Sequence, residues 1–271
     1  MESYKLEFDK EFFDIYKRFE AELTERCLDL HAIGLATMNF PDMKVVKVPN
    51  PFITYYLRDK VGSSPDYFAA YTRQQHEAII KRVNNFYVMN ILSSAEWHLK
   101  EALVMLRTIL AQRKLTITGD SFAATLDREK NAHRTFGKIY NDIVDAVNGV
   151  SKDIIPDQSP YYRFLRSYII LRNCLAHKRG IISDKEINME IRIPFIDENQ
   201  IKEAMKPGFT GSIIPQTAVL KWELNQKIGF PIHEVEGIAY GLIKTLHEII
   251  KHMSKAADVH VQKLEQSQHK G

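Results

Sequence analysis

Up to about residue 180 the apolar residues of this chain recur at steps of three and four, a spacing that falls on one side of an α-helix and on neither face of a strand. Phe8, Phe12, Ile15, Phe19, Leu23, Cys27 and Leu30 mark such a face and predict an amphipathic helix over about residues 7–37. Pro41, Pro49 and Pro51 end it, leaving residues 38–64 as a proline-punctuated connection with a short strand at Val45 to Val48. Ser64 followed by Pro65 reads as an N-cap with proline in the first turn. The helix it opens is expected to run to about Arg113, with Phe68, Ile79, Val83, Phe86, Ile91, Ala95, Leu99, Ala102, Leu106 and Ile109 as its buried stripe.

A third helix is expected from a cap at Asp120 or Ser121, carrying Phe122, Leu126, Phe136, Ile139, Ile143 and Val147, with Gly149 placed to stop it. Ser159-Pro160 repeats the start signal and opens a fourth through Leu165, Ile169 and Leu175, with Gly180 as terminator. The period then changes. Ile187, Met189, Ile191, Ile193 and Phe195 alternate with polar residues, as do Leu220, Trp222 and Leu224, so these segments are expected to pair as an antiparallel sheet. Pro207, Gly208, Gly211 and Pro215 mark an excursion between them. Val235, Ile238, Leu242, Leu246, Ile249 and Met253 predict a last helix over about 232–255.

The expected fold is mostly α: a bundle of about five helices with a small antiparallel β-hairpin or sheet inserted before the final one. Its divisions are an N-terminal helix and connection at 1–64, a helical bundle at 65–255 with the β insertion at about 186–225, and a frayed polar tail at 256–271. With 45% hydrophobic and 26% charged residues, the composition suits one large domain or two small ones.

The net charge of +3 comes from 37 basic and 34 acidic residues, so total charge argues for neither nucleic acid nor membrane as partner. No apolar run is long enough for a signal peptide or a membrane span. Cys27 and Cys174 stand in apolar surroundings without C-x-x-C spacing, from which no structural metal and a reducing cytoplasmic setting are expected. Glycine-rich phosphate loops, nucleophile elbows and Walker-type lysines do not occur in the sequence, and no cofactor is expected.

One segment has a specific chemical reading. RNA carries its own nucleophile, the 2′-hydroxyl, and can be cut without a metal by a proton acceptor and a cation for the phosphate. Histidine titrates near neutral pH, and arginine offers a charged planar fork. Three arginines are followed five positions later by histidine: Arg26 to His31, Arg128 to His133 and Arg172 to His177. The first two have acids nearby to answer the arginine. Arg172 lies late in a strongly apolar helix, is followed by Asn173, and the cluster continues into Lys178, Arg179 and Gly180.

Between Pro160 and Lys185 the bases Arg163, Arg166, Arg172, Lys178, Arg179 and Lys185 face Asp184 alone, a local +5 that leaves the rest of the chain at −2. Such a stripe suits a polyanion. Spacing and charge by themselves favour, by a small margin, a polar helix end with an ordinary histidine.

Arg172, Asn173 and His177, set late in a hydrophobic helix of a helical chain, resemble the HEPN superfamily over about residues 65–255. Its signature is arginine, a polar Asn, His or Asp, then histidine after a gap of four to six residues. Many members are metal-independent ribonucleases, including toxins of toxin–antitoxin pairs and abortive-infection proteins; others have lost activity. The resemblance implies that Arg172 and His177 are catalytic and that Asn173 orients them. RNA would be the substrate, with Arg163, Arg166, Lys178 and Arg179 binding it. It also implies a homodimer with the cleft between protomers, and a possible antitoxin or regulatory partner. The sequence departs from the compact family pattern in its long N-terminal portion, its inserted strands, and Arg179 where one subgroup has tyrosine.

A helical wheel gives a separate constraint. At about 100° per residue, Arg172 and His177 lie roughly 140° apart on an unbroken helix, whereas Asn173 shares the face of His177 and Arg166 falls near it. Either the helix distorts near Ala176 or two chains combine their motifs. Lesser candidates are Tyr161, Tyr162 and Tyr168, read as core more readily than as base-stacking platforms. Glu96, His98 and Glu101 have spacing that suits acid–base or metal chemistry, but ordinary exposure explains them equally well. His247 and His252 are read as solvated.

Overall fold

The apolar stripe of the last helix is what most of the bundle packs against. In a computed structural model the described residues are 8–38, 46–49, 68–71, 73–113, 119–132, 134–150, 156, 159–195, 202, 206 and 216–268. Among them the order is α1 (Phe8–Met38), β1 (Val46–Pro49), β2 (Phe68–Tyr71), α2 (Arg73–Leu110), α3 (Gly119–Asn131), α4 (Phe136–Val150), α5 (Pro160–His177), β3 (Ile191–Phe195), β4 (Gln216–Leu220) and α6 (Ile232–Gln268). Val235, Ile238, Leu242, Leu246, Ile249 and Met253 of α6 are fully buried, and α1, α2, α4, α5 and β3 all pack on that helix. Each such side chain contributes roughly 1.5–3 kcal/mol by leaving water. Phe12, Phe19 and Leu23 of α1 belong to the same buried cluster, so the N-terminal helix is part of the bundle's core.

The mostly helical reading with a small inserted sheet holds, with corrections at the joints. The helix expected from Ser64 begins at Arg73. Ser64 and Pro65 lie outside the described residues, and Phe68 belongs to β2, which pairs antiparallel with β1 through Pro49↔Phe68 and Val46↔Tyr71. A strand partner some twenty residues earlier in the chain overrode the helical pattern there. Phe86, expected in the buried stripe of α2, is 65% exposed.

The expected third helix is two helices. Near the end of α3 the buried Arg134 guanidinium bonds the Glu129 carbonyl at 2.8 Å and the Glu129 carboxylate, and its Nε meets Asp142 of α4 at 3.1 Å. Arg107 of α2 closes the cluster on Asp142 at 3.1 Å. These charges fix a corner that apolar periodicity does not register. Gly149 lies inside α4, and Asp120 and Ser121 lie within α3.

The predicted sheet pairs β3 with β4, Ile191 opposite Leu220 and Ile193 opposite Ala218. The second strand therefore ends at Leu220; Trp222 and Leu224 follow it, and Ile187 and Met189 precede the first. Two glycines seat this sheet. A methyl group added at Gly237 would lie 2.8 Å from Ile193 Cβ, and one at Gly241 would lie 2.5 Å from Tyr168 Oη and 2.9 Å from the Arg192 carbonyl.

Residues 256–268, expected to fray, continue α6. Ala256 and Ala257 are buried, the His260 ring stands 3.1 Å from the Gln112 carbonyl, and the Lys263 ammonium donates to the Val150 carbonyl at 2.8 Å. The segment is polar because it reaches the carbonyl-rich ends of α2 and α4.

Gly241→Ala is expected to destabilise the fold by about 1–3 kcal/mol, because backbone and a buried tyrosine must move. Gly149→Ala, with nothing within 4 Å of the added carbon, is expected to stabilise by roughly 0.5 kcal/mol. Urea unfolding of the two variants reads the opposite signs.

Candidate functional site

Helix α5 starts where the sequence marks it. Ser159 is the extended N-cap, with φ −79° and ψ 126°, and Pro160 opens the first turn. At the other end the N–H groups of Lys178 and Gly180 both bond the Cys174 carbonyl, at 3.0 and 3.1 Å. Arg179 and Gly180 turn the chain away with φ of 55° and 74°.

Between these ends α5 is buried on most of its circumference, through Tyr162, Leu165, Tyr168, Ile169, Leu171 and Cys174. Apart from Pro160 at its start and Ala176 in its last turn, the open part is one line. Arg163, Arg166, Asn173 and His177 are exposed along it, with half-buried Ile170 between. Steps of three and four keep these residues within about 40° of the His177 direction. The line rises roughly 21 Å from Arg163 to His177 at 1.5 Å per residue.

Arg172 lies off this line. It is half-buried against α2, where its Nη2 meets Glu96 at 3.4 Å, and its Nη1 donates to Asn173 Oδ1 at 3.3 Å. Its Nε is buried without a partner. Because α5 remains helical through His177, a single chain keeps Arg172 and His177 on different sides. Glu96, grouped from sequence with His98 and Glu101 as spacing suited to acid–base or metal chemistry, is the partner of the motif arginine. Nothing in the spacing of residues 76 apart signals that pairing.

Lys178 does not stand open to a substrate. Its ammonium donates to both Glu186 oxygens, at 2.7 and 2.8 Å, and to Ser183 Oγ at 2.6 Å. Glu186 is 5% exposed and also accepts from the Ser183 N–H at 3.0 Å. Burial raises the Glu186 carboxyl, but the bonds from Lys178 and Ser183 outweigh it and hold the group below the usual glutamate value. Ser183 and Glu186 have the S-x-x-E spacing of a capping box, so the signal was in the sequence. Of the basic stripe, Arg163, Arg166, Arg179 and Lys185 remain exposed.

The lesser candidates resolve mainly into packing. Tyr162 and Tyr168 are buried; burial pushes both phenols well up, and Tyr162 stacks on His252 at 5.8 Å. His252 is therefore packed, with its imidazole pushed down by burial, and His247 stands edge-on to Tyr16 at 4.6 Å, where solvation had been expected for both. His98 is buried as well, its Nδ1 2.9 Å from the Ser94 carbonyl and its ring against Phe19, while Glu101 pairs with Arg18 at 2.7 Å. Glu96, His98 and Glu101 thus engage separate partners.

No helix among the described residues is long and apolar enough to cross a membrane. No family model, no curated protein and no solved structure matches the chain.

Lys178→Ala leaves Glu186 buried without its cation and is expected to cost about 1–3 kcal/mol near pH 7. A carboxyl depressed in the folded state contributes stability above its unfolded pKa, which is lost as pH falls through the folded one. The gap between wild type and Lys178→Ala should therefore shrink as denaturation is repeated from about pH 7 down to about pH 3.

Proposed function

We propose that the chain is a HEPN-type, metal-independent endoribonuclease that acts on single-stranded or loop RNA as a homodimer. The observation that carries this reading is the open line of α5. A helix buried on most of its other surface leaves uncovered a file that ends in Asn173 and His177, while Arg172 is held off that file by Glu96.

In this mechanism a neutral His177 takes the proton of the 2′-hydroxyl as its oxygen attacks phosphorus. The bond from phosphorus to the 5′-oxygen breaks, and that oxygen leaves with a proton drawn from water, which His177 replaces by returning the proton it took. Arg172 holds the phosphate oxygens and Asn173 keeps the guanidinium in place. The products are a 2′,3′-cyclic phosphate and a 5′-hydroxyl. Two chains are required because one α5 cannot turn Arg172 and His177 to the same side. A toxin or defence role under a regulatory partner extends the reading.

The rival reading is a module that binds RNA, a nucleotide or a protein without cutting. It is favoured by the Arg172–Glu96 pair, which already neutralises the motif arginine within one chain.

Purified protein is expected to cut a varied RNA pool in excess chelator, leave cyclic phosphate ends, and spare RNA whose 2′-hydroxyls are methylated. His177→Ala should abolish cleavage with little change in RNA affinity or melting temperature. Inactive Arg172→Ala and His177→Ala proteins should partly rescue one another when mixed. A wild-type protein that leaves the pool intact would support the rival.

A further inference from the structure

We propose that Arg192 of the inserted sheet joins Arg163 and Arg166 of α5 in a platform for single-stranded RNA, beside the upstream end of the open line that leads to His177. The proposal rests on the reading of the chain as a protein that acts on RNA, and it adds a binding surface that the sequence motif does not contain.

The platform is organised by one ring. The guanidinium carbon of Arg192 lies 5.2 Å from the Phe164 centroid and that of Arg163 lies 5.9 Å from it. Tyr161 stands edge-on to Phe164 at 6.2 Å, fixing the ring from a further side. Arg166 follows Arg163 by one turn and is exposed. Arg192 has Glu190 at 3.8 Å, a pair in which both side chains are more than 40% exposed. Neither Arg163 nor Arg166 makes an ion pair among the described residues.

The fold delivers Arg192 to this place. Ile191 and Ile193 are buried, so alternation along β3 turns Arg192 outward. The Arg192 carbonyl accepts from Tyr168 Oη at 3.4 Å and lies against Gly241, which ties the strand to both α5 and α6.

Cations gathered about one ring repel one another, and a phosphate chain removes that repulsion. Guanidinium planes held against an aromatic ring also present a free face on which unpaired bases stack. A single strand satisfies both demands, since its phosphates can follow Arg192, Arg163 and Arg166 while its bases turn toward the protein. From Arg163 the line continues past Ile170 and Asn173 to His177, over roughly 21 Å, a span of a few nucleotides. Strand β3 thereby becomes part of the substrate path.

The test uses the full chain and a fluorescent uridine dodecamer carrying 2′-O-methyl groups, which binds without being cut. Wild type should bind with an affinity that falls steeply with salt. Arg163→Ala combined with Arg192→Ala should weaken binding about tenfold near 100 mM salt and reduce the log–log salt slope by about 1.4, the loss of two single-strand phosphate contacts. Arg192→Lys, which keeps the charge, should retain most of the slope. On cleavable RNA the double variant should raise KM with kcat unchanged. If the double variant melts early, Arg166→Ala alone should lower the slope by about 0.7. Wild-type affinity and slope in a folded double variant would overturn the platform while leaving the ribonuclease reading intact. A wild-type protein that neither binds the dodecamer nor cuts RNA would overturn both.

Discussion

Helix α6 is the constraint on which the other elements depend. Five of them pack on it, and they arrive on more than one side: Val235, Leu242 and Leu246 lie along one buried face, whereas Gly237, where Ile193 of β3 arrives, lies roughly 160° round from Val235. A helix wanted on several sides can satisfy every neighbour only if some approach closely, which is why Gly237 and Gly241 stand where β3 and Tyr168 arrive. That seating draws β3 against α5. With α2, α4 and α6 also packed on α5, only a narrow line of that helix is left to water.

The chemistry proposed for the chain is a consequence of this narrowing. A helix with a broad solvent face can carry histidine and arginine anywhere on it, and their presence means little. On α5 the open positions are few, and His177, Asn173, Arg166 and Arg163 fill them in succession. The motif arginine is treated differently: Arg172 lies half-buried, held by Glu96 on one side and Asn173 on the other. Held in this way, its fork is already ordered, and in the proposed mechanism that order lowers the cost of binding a phosphate.

Much of this was legible in the sequence because it depends on local period. The start of α5 at Ser159-Pro160, the extent of α1 and the pairing of the two inserted strands follow from spacing within a few residues. What escaped depends on partners distant in the chain. Phe68 reads as helical until Pro49 is brought opposite it, and the corner at Arg134 exists because Asp142, Glu129 and Arg107 meet there. Ala256 and Ala257 look like tail residues until their burial is known. The same division runs through the site. The helical wheel put Asn173 on the face of His177 with Arg166 near it, but it could not give the pairing of Arg172 with Glu96 or the arrival of Arg192 beside Phe164.

The meeting of α1 with α6 has a bearing on how the chain reaches its native state. Ser254 donates to Asp9 across 245 positions, and buried residues of both helices share one cluster. Helical bundles usually assemble quickly because their contacts are local, but here the first helix waits for the last. During synthesis α1 through α5 emerge without the surface that covers their apolar sides, so the nascent chain stays sticky until α6 has left the ribosome. The line on α5 is defined only when its flanks are covered. A half-made chain would therefore carry the motif residues without the surroundings that turn them into a site.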